Sequence, residues 1–436
     1  MAQDRGEQRG RLGTAAPIDG GRLGTAAWAL FDWANSPFPT VVITFVFPVY
    51  FQRAIVGDAV RATELWGYAI ALSALLVALL GPVLGAAADA GARRKPWLLV
   101  CTVVTVICTG LLWYAAPNAS AMWLVLVLVA LANVGFELGT VFYNAMLPDL
   151  VAPARLGRWS GWAWGLGYAG GLAALALALF ALIRAEPPPF GLSAENSEPV
   201  RAVAVMVALW FVLFGWPLFA FTPDRPASGQ GFVEVLKRGV GQLVSTVTQL
   251  GRYREIVRFL IAKMIYIDGL NTLFAFGGIY AAGSFAMTME EVLIFGIALN
   301  VTAGLGAFAF GWIDDWIGGR RTVIIALIGS SAAGAAILLI EDKAWFWALG
   351  LFIGIFMGPV QSASRSLMGR MAPPALRAEM FGLYALSGKA TAFLGPWLVA
   401  TVTAAADSQR VGMATILVFF AVGLVLVWPV KEPGRS

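Results

Sequence analysis

The sequence contains no histidine. That excludes an imidazole metal centre and every catalytic triad that relies on histidine, and it leaves any proton relay to Asp or Glu. There are two cysteines, Cys101 and Cys108, both in one apolar segment, so neither a disulfide framework nor a cysteine metal cluster is implied. Charge is scarce at 13% of residues, and apolar residues reach 59%; soluble domains carry about 25% and about 45–50%. No phosphate-cradling G-x-x-x-x-G-K-[ST] loop occurs; Gly388-Lys389 sits in an apolar run without the preceding glycine spacing. No dinucleotide fingerprint is present either. The chain is therefore expected to be no enzyme, to hold no cofactor or metal, and to draw on a gradient or run downhill. Met1–Thr25 is polar, rich in Gly and Arg, and lacks the apolar centre of a secretory signal, so residues 1–25 are expected to form a disordered cytoplasmic tail.

What is abundant is hydrophobic length. A span needs about 20 mostly apolar residues to cross a bilayer core of about 30 Å. Twelve such runs can be read, at 26–51, 65–88, 97–116, 121–147, 159–183, 201–221, 256–282, 290–312, 322–340, 344–369, 379–404 and 410–430. With the N-terminus in the cytoplasm, 21 of the 30 Lys and Arg fall inside, six outside and three within the membrane. This bias predicts cytoplasmic termini at both ends in a cytoplasmic (inner) membrane, and makes the net charge of +5 a topology signal with no nucleic-acid partner behind it. Trp97, Trp123, Trp159, Trp345 and Trp428, near span ends, read as interfacial anchors. The expected fold is an all-α polytopic membrane protein with two six-helix bundles, 26–221 and 256–436. A cytoplasmic linker, 222–255, joins them. In it Leu236, Val240, Leu243, Val244 and Val247 recur at helical spacing among Lys237, Arg238, Gln242 and Gln249. That pattern suits an amphipathic helix on the inner surface, and a simple connector helix is the favoured reading.

The chain repeats itself across the linker. Asp32-x-x-Asn35-Ser36-x-Phe38 in span 1 returns as Asp268-x-x-Asn271-Thr272-x-Phe274 in span 7. Gly85-x-x-x-Asp89-x-Gly91-x-Arg93-Arg94 after span 2 returns as Gly311-x-x-x-Asp315-x-x-Gly318-Gly319-Arg320-Arg321 after span 8, and Pro153-Ala-Arg155 as Pro374-Ala-Leu-Arg377. Internal repeats of this kind mark secondary transporters. Such a loop can work as a latch: Asp89 or Asp315 caps a neighbouring helix or pairs with an arginine, so Asp89, Arg93, Arg94, Asp315, Arg320 and Arg321 are the candidate gating residues. At these loops the sequence resembles the major facilitator superfamily. It differs in Ala90 in the first copy and in one extra residue in the second. More narrowly, LFDWANSPF with MIYIDGLNTLFAFGGIYAAG resembles the autophagy-related vacuolar amino-acid effluxers and their bacterial relatives, from which Pro37 and Pro39 depart. That resemblance implies export of small amino acids for the eukaryotic members and transport, without more, for the bacterial ones.

An ionisable side chain within a span costs roughly 2.5–3.5 kcal/mol on insertion scales and marks function. The expensive groups concentrate in spans 1, 4, 7 and 10, with Asn300 and Lys389 added from spans 8 and 11. In the superfamily fold, spans 1, 4, 7 and 10 line the central cavity while 3, 6, 9 and 12 face lipid. The candidate substrate-binding residues are therefore Asp32, Asn35, Asn133, Glu137, Asp268, Asn271, Asn300, Gln361, Arg365 and Lys389. Either Asp32 or Asp268 can partner Arg365, which lies at similar depth. Glu137 lies deepest and is the favoured proton carrier, because loss of water favours a neutral carboxyl group; Asp268 and Asp32 are the other coupling candidates. Lys263, near a span end, is expected to snorkel. Trp164 and Trp397, inside spans, read as core with substrate stacking as the alternative. The glycines from Gly161 to Gly171 in span 5 are expected to allow close helix contact.

The resulting expectation is a secondary transporter of a small polar or zwitterionic, amino-acid-like metabolite, proton-coupled with sodium left open, working by alternating access as a monomer in the bilayer. A lipid or amphiphile translocator is the alternative, and a non-transporting receptor the third reading.

Overall fold

A computed structural model describes residues 21–433, and helices are the only regular structure among them. Eleven helices are long and apolar enough to cross a bilayer: α1 Gly21–Val56, α2 Ala59–Gly91, α3 Lys95–Tyr114, α4 Ala119–Leu150, α5 Pro153–Ile183, α6 Glu198–Phe221, α7 Gly251–Phe285, α8 Glu290–Ile317, α9 Gly319–Leu339, α10 Lys343–Met371 and α12 Gln409–Val427. The remaining span is discontinuous, formed by α11a Arg377–Ser387 and α11b Leu394–Ala406. Two six-helix bundles result, related by the repeat seen in the sequence.

The tail expectation fails where it can be judged. Residues 1–20 lie outside the described residues, but α1 already begins at Gly21. Its first turn docks on the end of α6: the Thr222 hydroxyl donates to Gly24 O at 2.8 Å, and Thr25 donates to Gly21 O at 2.9 Å. Farther along α1, Pro37, Pro39 and Pro48 remove backbone donors. The helix answers by widening its hydrogen-bond spacing over Phe38–Phe45 and Phe51–Val56, with Val46 N reaching Val41 O at 2.9 Å.

The bundles touch along two pseudo-symmetric seams, α2 on α11a and α5 on α8. Glycine makes both possible: a side-chain carbon at Gly85 would collide with the Ala378 carbonyl, and one at Gly161 with the Ala307 carbonyl. A helix over Phe232–Thr248 fills the linker. It is more than a connector, because Val235 and Gly239 pack on the end of α2 while Gln242 donates to Glu379 on α11a at 2.8 Å. Its other face exposes Val233, Val240, Val244 and Val247 beside Lys237 and Arg238.

Candidate functional site

Asp32 sits well inside α1, a full 11 residues beyond Gly21, so it is no interfacial cap. Its carboxylate accepts from Arg365 of α10, in the opposite bundle, at 2.9 Å. The same guanidinium donates to Asn144 Oδ1 at 3.3 Å, to Ser160 Oγ at 2.9 Å and to Ser160 O at 2.7 Å. Three rings surround it, with Trp164 at 4.8 Å, Trp28 at 5.2 Å and Tyr143 at 5.7 Å from the guanidinium carbon. Trp28 and Tyr143 stack at 4.5 Å and each donates to the other's backbone carbonyl, at 3.0 and 3.1 Å. Arg365 is thereby sealed, its side chain 1% exposed and that of Asp32 13%. Trp164 thus stacks on a protein cation.

A second acid–base pair also spans the bundles. Lys389 donates to Glu137 Oε1 of α4 at 2.7 Å. This pair is more open, with side chains 29% and 22% exposed. Lys389 lies in the interruption of α11, and α7 holds that interruption from both sides. Lys263 is 4% exposed and donates to Tyr384 O at 2.9 Å, close to the end of α11a, over the Tyr384 ring at 3.8 Å. The snorkelling expected of Lys263 therefore does not occur: a carbonyl near the helix break offers the ammonium a nearer partner than the headgroups. Asp268, 2% exposed, lies against Gly395 in the first turn of α11b, and no side chain hydrogen-bonds to its oxygens. The expectation that Asp268 can partner Arg365 is overturned. The repeat explains why. Nine residues before Pro374 stands Arg365, but nine before Pro153 stands Asn144, so the N-terminal bundle has no matching cation for Asp268.

The remaining candidates scatter. Asn133 is buried and donates to Ser73 of α2 at 2.7 Å; Asn35 is buried beside Ser36; Asn271 is exposed on α7. Gln361 reaches Tyr168 of α5 at 3.1 Å, another bond between bundles. Asn300 donates to Gly296 O of its own helix at 2.8 Å and lines a cavity of about 490 Å³. The cavity is walled mainly by apolar groups, among them Phe274, Met357 and Phe420, with Thr40 and Ser330 among the polar ones. Of the ten binding candidates Asn300 alone lines it. Its wall draws on α1, α7, α8, α9, α10 and α12, so α4 is missing and α9 and α12, expected on the lipid side, take part. Two centres therefore replace the single expected one: a polar one at the charge pairs and an apolar one between the helix halves away from the Gly–Asp–Arg loops.

At the end carrying the Gly–Asp–Arg loops, charge is dense and paired. Asp89 accepts from Arg94 at 3.1 Å and from the Glu379 backbone N–H in the first turn of α11a at 2.9 Å. Asp315 accepts from the Arg158 backbone N–H at the start of α5 at 3.2 Å and forms an ion pair with the Arg158 side chain at 3.3 Å. Each loop aspartate thus caps a helix of the other bundle. Asp149 binds Arg94, Arg377 and, at 2.6 Å, Arg225; Asp314 binds Arg370 at 2.5 Å. Burial, with Arg94 close by, pulls the Arg225 guanidinium down to about 10, still protonated at neutral pH. Asp224 accepts from the N–H groups of Arg94 and Lys95 at 3.1 and 2.9 Å, and Glu432 from those of Gly319 and Arg320 at 3.2 and 3.1 Å. Arg93 and Arg321, among the six gating candidates, are instead exposed, whereas Arg320 donates to Val430 O at 3.1 Å. The sequence reading missed Ser160, Asp149, Asp224, Asp314, Arg370, Glu379 and Glu432. One signal was available for two of them: an acidic residue beside a proline follows each half, Pro223-Asp224 and Glu432-Pro433.

Two bundles joined by charge pairs in this order define a secondary transporter of the major facilitator type, an integral membrane protein and no enzyme. The overall shape matches the E. coli fucose:proton symporter FucP, with a TM-score of 0.73 at 13% identity over 94% of this chain and 98% of that one. It also matches the proton:xylose symporter XylE, at 0.72 and 14% over 95% and 97%. The chain belongs to the family described as vacuole effluxer Atg22 like, whose sequence profile matches residues 54–158 and 154–434. The uncharacterized MFS-type transporter YxiO of Bacillus subtilis is 27% identical over 412 residues, 93% of this chain and 94% of that protein. Autophagy-related protein 22-1 of Penicillium rubens is 24% identical over 307 residues, 64% of this chain, and the match spans half of that longer protein.

Proposed function

We propose that this chain is a proton-coupled transporter of a small polar or zwitterionic, amino-acid-like metabolite, working as a monomer in a cytoplasmic membrane with both termini in the cytoplasm. One observation carries the reading: Asp32–Arg365 and Glu137–Lys389 each put an acid in one bundle and its base in the other. Neither pair can persist unchanged while the bundles rock, so substrate and proton have bonds to replace. The vacuole effluxer description of the family agrees with transport and names no cargo.

The capped loops serve as the cytoplasmic gate, closed in this conformation by Asp89, Arg94, Asp149, Asp315 and Arg377. Arg320 supports it through Val430. The seams set the closure distance. Gly85→Val is expected to hold this gate ajar and to cut transport more than about tenfold while the protein remains folded, because overpacking a close contact costs typically 1–3 kcal/mol. Wild-type flux in that variant contradicts the gate.

The test of the function is uptake into proteoliposomes under an imposed pH gradient, using radiolabelled amino acids one at a time. Accumulation of at least one, collapsed by a protonophore, is expected. A lipid or amphiphile cargo has one observation in its favour, the apolar wall of the 490 Å³ cavity. Transfer of a short-chain fluorescent lysolipid with no amino-acid flux would replace the first reading with the second.

A further inference from the structure

The interruption of α11 is only partly encoded in its own residues. Gly388 weakens the helix and Pro396, in the first turn of α11b, offers no N–H to Ala392 O, but Lys389 and Ala390 between them are good helix formers. Yet the ladder tightens there: Gly388 N reaches Ala385 O at 3.1 Å, Lys389 N reaches Leu386 O at 3.0 Å, and Leu394 N reaches Thr391 O at 2.8 Å. Helix α7 stabilises the result, with Lys263 near the carbonyl end of α11a and Asp268 at the amide end of α11b. What the interruption achieves is the placement of Lys389, whose ammonium crosses to Glu137.

Accessibility separates the two bundle-spanning pairs. Arg365 has four hydrogen bonds and three rings and is 1% exposed, so no ligand reaches it without dismantling the cage. Lys389 is 29% exposed, with one strong partner. That partner is itself a carboxylate, and so the seat already has the shape and charge of one. A second cation, Lys263, lies behind the site, held by a carbonyl and a ring.

We infer that Lys389 is the subsite for the carboxylate of the transported molecule, and that Glu137 occupies this seat in the empty transporter and is displaced by substrate. The exchange replaces one carboxylate by another on the same ammonium. It leaves Glu137 without a base, available to the coupling proton assigned to it above. This deepens the proposed function and rests on it only for that proton.

The test is thermal unfolding of the purified, detergent-solubilised protein at one fixed pH. The probes are straight-chain monocarboxylates of two to six carbons and L-amino acids, each paired with its primary amide. Carboxylates are expected to raise the melting temperature and the amides to leave it unchanged. Glu137→Gln leaves only a neutral amide oxygen in the seat, which a carboxylate displaces more easily, and should lower the half-maximal concentration at least tenfold. Lys389→Gln should abolish the response, and Lys389→Arg, which keeps the charge and controls for folding, should retain it. Equal stabilisation by acids and amides, an undiminished response in Lys389→Gln, or no response to any acid in Glu137→Gln overturns the inference. If liposomes move a compound without a carboxylate and Lys389→Gln moves it equally well, the subsite falls and the transport reading stands. If Glu137→Gln captures carboxylates but liposomes move nothing, the reverse holds.

Discussion

Glu137→Gln should abolish accumulation driven by a pH gradient while sparing counterflow exchange of the same substrate. The expectation follows from what each process asks of the side chain. Exchange returns the carrier loaded in both directions and needs no net change in protonation. Accumulation requires that a proton bind on one side and leave on the other. Glutamine retains the shape and a carbonyl acceptor for Lys389 but cannot titrate. Net accumulation should fall at least 100-fold with exchange within about threefold of the native rate, measured in proteoliposomes at equal protein density. Undiminished gradient-driven uptake removes Glu137 from coupling and shifts the role to Asp268 or Asp32.

Arg365→Met should be the most destabilising single change at the bundle interface. It removes four hydrogen bonds and leaves Asp32 buried without its cation. Losing one member of a buried pair costs about 3–5 kcal/mol, more than the pair is worth against an apolar substitute. The melting temperature should fall by more than about 5 °C, and transport should be lost. Adding Asp32→Asn removes the stranded charge and should recover much of the melting temperature while leaving transport absent. Arg365→Lys is not conservative here, since an ammonium cannot bridge Asp32, Asn144 and both oxygens of Ser160 at once. Additive effects in the double variant would show that the pair is uncoupled.

Much of this architecture is legible in the chain because a membrane forbids alternatives: apolar length yields the spans and the duplicated motifs pair the halves. The Asp32–Arg365 contact is half legible: counting residues from the span ends puts Arg365 level with both Asp32 and Asp268, and only the fold selects Asp32. Other features escape because three-dimensional neighbours decide them. Gly388 and Pro396 flank the interruption of α11, but their spacing does not fix where the helix breaks, and Lys263 arriving from α7 binds the Tyr384 carbonyl there. Asp268 resembles Asp32 in its motif, yet the repeat substitutes Asn144 for the arginine it would need. Asp149, Asp224 and Glu432 lie near span ends, where an acidic residue ordinarily meets water; here each is enclosed by the helix starts or guanidiniums it binds. The apolar cavity, too, escapes a reading based on polar residues, because packing gaps leave no mark on composition.

Pivoting of the two bundles about the Asp32–Arg365 and Glu137–Lys389 pairs, with the loop face closed in the conformation described, is the motion proposed. Its most direct test is the distance between spin labels at positions 93 and 321, exposed sites on opposite bundles, in cysteine-free protein reconstituted in nanodiscs. Two distance populations are expected, the longer one growing in Gly85→Val, where the seam cannot close. A single distance, identical in the native protein and in Gly85→Val, would contradict that motion.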